Sequence, residues 1–147
     1  MSLKQWVANG WLKPHKTSRQ EIENLLGIVR RDLEDAATSG ISDDWRFGIA
    51  YNAALKLCTI LLYAEGYRPA QSLAHYRSLQ ALPLILGTGR KADADYLDAC
   101  RIKRNTVEYD YAGGAADADA NELIAFSREL LNHVLEWLRA THPDFLP

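Results

Sequence analysis

From Phe47 to Ala64 almost every residue is apolar or small, and polar side chains interrupt the run only at Asn52, Lys56 and Thr59. Those three positions are four and three residues apart, so on a helix they form one narrow stripe. A helix that is apolar around nearly its whole circumference is stable in water only when neighbours cover it on several sides. The stripe makes the segment too polar for a lipid-spanning helix, so it is expected to be the centre of a core. Gly66 stops this helix and Pro69 prevents its continuation. The rest of the chain must therefore supply the cover.

The flanking segments have the spacing to do so. Ser18 stands three residues before Glu21, the spacing of a capping box, and Ile22, Leu25, Leu26, Val29, Leu33 and Ala36 follow a one-faced helical rhythm. Gly40 is expected to close this first helix. A shorter helix is expected from about His75 to Leu86, kinked or restarted near Pro83. A fourth helix starts at Asp93 or Asp95 and runs to about Tyr109. The last, capped by Asp117 or Asp119, places Leu123, Ile124, Leu130, Leu131, Val134, Leu135 and Leu138 on one broad face. Phe126, His133 and Trp137 fall off that face. Residues 1–16, with Trp6, Trp11 and Pro14, make an arm expected to pack its aromatics onto the body. No run of alternating polarity extends beyond a few residues. The expected fold is all-α, a four- to five-helix up-and-down bundle in a single domain spanning residues 1–147.

A length of 147 residues is enough for one real core, and the formal net charge of -2 gives the whole molecule no general attraction for nucleic acid. Any such affinity must come from a local patch. Cys58 and Cys100 lie in apolar helical contexts and are expected to be buried thiols. His15, His75, His133 and His142 are scattered without helical pairing, so no metal site and no cofactor is expected. "GTGR" at residues 87–90 has the composition of a plain turn. The opening "MSLKQWVANGW" lacks the pattern of a signal peptide, which makes the cytoplasm the expected location.

The segment "RIKRNTVEYDY", residues 101–111, concentrates the polar chemistry. Arg101, Arg104, Asn105 and Glu108 share one helical face. On the plainer reading this is a solvated face carrying an Arg104–Glu108 ion pair. On the functional reading Arg104 and Asn105 point into a groove where a guanidinium grips phosphate with two prongs, and Arg101 and Lys103 widen the positive footprint. "GYRPAQSLAHY" adds Tyr67, Arg68 and His75 at the mouth of the central helix.

On "DWRFGIAYNAALKL", "GYRP…H" and above all "KRNTVEYDY", the chain resembles the HEPN superfamily of helical domains from about Ser18 to Arg139. The resemblance implies a HEPN-like bundle from prokaryotic defence or toxin–antitoxin systems that associates with RNA or nucleotides. Catalytic members are similar to metal-independent endoribonucleases whose site forms where two subunits meet. Their motif places an arginine on Arg104, a polar residue on Asn105 and a late tyrosine on Tyr111. The motif histidine falls on Tyr109. Tyrosine, with an ordinary pKa near 10, is a poor proton shuttle at neutral pH, so the ribonuclease motif is degenerate. The expected site therefore comprises Arg104, Asn105 and Tyr109, with Arg101, Lys103, Tyr111, Arg68 and His75 binding substrate. A homodimer is expected, partly because Phe126 and Trp137 would otherwise lie exposed. The alternative implied by the same resemblance is a helical adaptor for a minimal nucleotidyltransferase, with Tyr111 as a possible acceptor of a transferred nucleotide.

Overall fold

The computed structural model describes residues 1–146 and is mostly helical. In chain order the elements are α1 (Leu3–Ala8), β1 (Leu12–Pro14), α2 (Arg19–Ala36), α3 (Asp43–Ala64), β2 (Tyr67–Pro69), α4 (Ala74–Gln80), α5 (Leu82–Leu86), α6 (Lys91–Tyr109) and α7 (Asp117–Thr141). Short 3-10 turns occupy Thr88–Arg90 and Pro143–Phe145.

α3 is the axis. It packs against α2, α7, α6, α4, α5 and β2. Leu57, Ile60, Leu61 and Leu62 are wholly buried, each burial contributing roughly 1.5–3 kcal/mol. By length and composition alone this helix could cross a membrane, contrary to what its polar stripe suggested; yet 67% of the qualifying window is buried by the rest of the fold. It serves as the core helix. α2 and α7 each turn one apolar face to it. Phe126 and Trp137, expected to be bare, are instead half-buried and packed on the core. Phe126 lies 4.8 Å from Tyr96 between ring centres, and Trp137 5.2 Å from His142. The large apolar side chains that are exposed include Trp45, Ile102, Tyr109 and Tyr111.

The expectation of a purely helical chain needs one correction. β1 and β2 pair antiparallel, with Leu12 opposite Pro69, Lys13 opposite Arg68 and Pro14 opposite Tyr67. Strands of three residues are too short to show alternation in the sequence. The pairing clasps the arm to the end of α3 and buries Trp6 and Leu12 against Leu62 and Ala81. Arg77 caps the aromatics, its guanidinium 3.7 Å from the Trp11 ring centre.

Helix boundaries shift for identifiable reasons. α2 stops at Ala36 rather than Gly40, and its last carbonyl accepts from Nε of Arg46 at 2.8 Å. Ser18 caps α2, but Glu21 turns to Thr17 and His15 instead of completing the box. The break before α5 falls at Ala81, with Pro83 in its first turn, and "GTGR" is the 3-10 turn leading into α6. Ala116 precedes α7, its N–H donating to Asp119 at 2.9 Å.

Candidate functional site

Three side chains at the start of α3, Ser42, Asp44 and Arg46, fix the geometry around the candidate site. Ser42 caps α3, accepting from the N–H of Trp45. Two residues on, in the first turn, Asp44 accepts from the N–H groups of Gly113 and Ala115 at 2.7 and 3.0 Å, holding the α6–α7 loop. Arg46 donates to Asp43, Asp117 and Asn121 as well as to Ala36, so α2, α3 and α7 meet at one guanidinium.

Between these anchors lies a cavity of about 520 Å³. Asp32 of α2 and Asn52 of α3 line it, joined by a 2.6 Å hydrogen bond from the Asn52 amide. Asp32 is buried, and its other oxygen accepts from Nε and Nη2 of Arg31. Ile49 and Val107 add apolar walls, and Trp45 lines the cavity while remaining 62% exposed. Arg104 and Glu108 enter from α6, paired at 2.7 Å. Three carboxylates (Asp32, Asp44 and Glu108) thus face one guanidinium, and the cavity is acidic.

Arg104 also borders a second, cationic cluster. Its Cζ lies 6.0 Å from the ring centre of Tyr51, a wholly buried residue of α3 whose hydroxyl has no hydrogen-bond partner among the described residues. Burial raises the Tyr51 pKa, with the nearby Arg101 and Arg104 opposing the shift. On another side the imidazole of His75, from α4, lies 6.3 Å from the same ring. Although His75 is exposed as a residue, its pKa is lowered, first by partial desolvation and then by the positive fields of Arg104, Lys56 and Arg101. Arg101 pairs with Asp98 at 2.9 Å and sits 5.7 Å from the Tyr76 ring centre. Lys56 forms no ion pair among the described residues.

The structure brings together some of the residues anticipated from the sequence and separates others. Arg101, Arg104 and His75 converge around Tyr51. Asn105 adjoins, its side-chain oxygen 3.3 Å from Nη1 of Arg104. Lys103 lies elsewhere, pairing with Asp119 at 2.9 Å beside a smaller cleft with Cys100 and Glu122. Arg68 is on β2 opposite Lys13, with its charge acting on Tyr63. Tyr109 is 72% exposed at the end of α6 and Tyr111 lies beyond it, also exposed. Sequence reasoning missed Tyr51, Asp32 and Trp45. The only signal was the polar stripe, since Asn52 and Lys56 mark the side of α3 that carries both the cavity and the cationic cluster. Comparison with family models, curated proteins and solved structures returns no match.

Proposed function

We propose that this chain is a HEPN-like domain that binds RNA or a nucleotide through the cationic cluster centred on Arg104, acting as a cytoplasmic homodimer in a defence or toxin–antitoxin setting. The observation that carries the reading is the convergence of Arg101 and Arg104 of α6 and His75 of α4 on the ring of Tyr51 in α3, with Lys56 acting on His75. Arg104 and Asn105 hold phosphate, with the Arg104 fork exchanging Glu108 for the ligand. Tyr109 and Tyr111 stand far enough into solvent to border a bound strand and stack on its bases. The test is fluorescence anisotropy with a labelled single-stranded RNA over a salt series. Binding is expected to weaken steeply with salt, and Arg104→Ala to cost about 1.5–3 kcal/mol, roughly 10- to 150-fold. Salt-insensitive binding, or none, removes the reading.

A second reading, an adaptor for a partner protein such as a minimal nucleotidyltransferase, has its own support in the acidic cavity beside the exposed Trp45. Three carboxylates beside an aromatic ring suit a lysine or arginine side chain. On that reading Trp45→Ala abolishes co-purification with a co-expressed partner while leaving RNA binding intact.

A further inference from the structure

We infer that the cavity between α2, α3 and α6 binds a free, linear organic cation, a polyamine-like molecule with an ammonium group at each end. The cavity is the one used in the adaptor reading, but the occupant is a small molecule and its binding needs neither RNA nor a partner protein. One wall is a single face of α3, where Asp44, Trp45, Gly48, Ile49 and Asn52 follow one another at helical spacing. Asp44 and Asn52 stand eight residues apart, about 12 Å along the helix. The buried carboxylate of Asp32 lies 2.6 Å from the Asn52 amide. Carboxylates therefore mark both ends of this wall, with the Trp45 ring and the apolar Ile49 between them. Glu108 adds a third carboxylate from α6, engaging Arg104 through Oε2.

Charge selects the class of ligand. Arg104 is the one cation in the lining, and Arg31, beside Asp32, has a side chain 63% exposed and screened by water, so the cavity stays net negative. It repels phosphate and attracts ammonium groups, which the carboxylates and the face of Trp45 can hold together. Size selects a whole molecule. At about 520 Å³ the cavity is more than three times the roughly 150 Å³ that encloses a benzene ring, and it falls within the range of small-molecule sites. Gly48 supplies an observation independent of charge. It sits in the interior of α3 with ordinary helical backbone, where glycine is destabilising relative to alanine. A Cβ there would meet nothing within 4 Å, so packing within the chain gives no reason for its absence. The missing side chain instead deepens the cavity, letting a ligand lie against the helix between its anionic ends.

The probe is spermidine, titrated calorimetrically into the full chain without RNA. Saturable binding of one equivalent is expected, weakening as salt rises. Trp45→Ala should weaken it about fivefold and Trp45→Phe much less. Gly48→Leu places a strong helix former in the cavity wall and should abolish binding while the urea midpoint stays at or above that of wild type, which separates loss of the site from loss of the fold. Gly27→Leu, at an exposed glycine of α2, should bind as wild type does. Arg104→Ala should tighten the spermidine complex several-fold, the reverse of its effect on RNA, because it removes the lining cation and releases Glu108. Binding that survives both Gly48→Leu and Trp45→Ala, or uptake of many equivalents without saturation, overturns the inference and shows diffuse attraction to the surface. A weaker complex in Arg104→Ala overturns it too. If spermidine does not bind but a co-expressed partner is captured and Trp45→Ala abolishes the capture, the inference falls and the adaptor reading stands. Neither binding nor capture removes both.

Discussion

Arg104 is held by a carboxylate one turn along its own helix, so any phosphate must compete with Glu108 for the fork. Both side chains are about a quarter to a third exposed, and such pairs are worth only about 0.3–0.5 kcal/mol. Glu108→Gln should therefore tighten RNA binding by roughly twofold in the anisotropy assay, and unchanged or weaker binding would count against Arg104 as the ligand. Asp32 has the opposite character. It is buried and accepts hydrogen bonds from Asn52 and Arg31, so Asp32→Ala should lower stability by about 1.5–3 kcal/mol in urea unfolding. These two sites differ in how far the sequence revealed them. The Arg104–Glu108 pair follows from a four-residue spacing on one helix. The Asp32–Asn52 bond joins α2 to α3, and His75 approaches Tyr51 from α4; neither is visible until the helices are docked.

Arg46 tests the same distinction between elements. Its guanidinium ties the end of α2 to the starts of α3 and α7, and the side chain is only 12% exposed. Arg46→Ala leaves Asp43 and Asp117 without this shared cation and should cost about 2–3 kcal/mol, read as a lowered midpoint in urea. The N-terminal arm responds to acid instead. Glu21 has its pKa lowered, chiefly by the hydroxyl of Thr17 and then by His15. A lowered carboxylate contributes stability above its unfolded pKa and loses it as pH falls through the folded value. Acidification below the ordinary glutamate range should thus loosen the arm before the body, seen as a tryptophan fluorescence change preceding loss of helical circular dichroism. A single coincident transition would show that the clasp does not depend on Glu21. α3 was legible as an almost unbroken apolar run, and the one-faced α2 and α7 because their periodicity survives in the sequence. The β1–β2 clasp was not, since six residues from distant segments carry no period.

Over the whole molecule, the two cysteines report on the integrity of the core. Burial pushes the Cys58 thiol up to about 12 and Cys100 to about 11, so neither should react with a thiol reagent at pH 8 until the fold opens. Labelling of both should follow the global unfolding curve; rapid native-state labelling would reveal local opening around α3 or α6. The centrality of α3 also has a bearing on biogenesis. During translation its apolar surface emerges after α1, β1 and α2, while α6 and α7 follow later. At about 5–20 residues per second the stretch from Glu65 to Thr141 takes roughly 4–15 s to synthesise. For that interval the nascent chain displays a greasy segment long enough to pass for a membrane anchor. Ribosomes arrested before α7 should therefore recruit a holdase or the targeting machinery, and those arrested after α7 has emerged should release it.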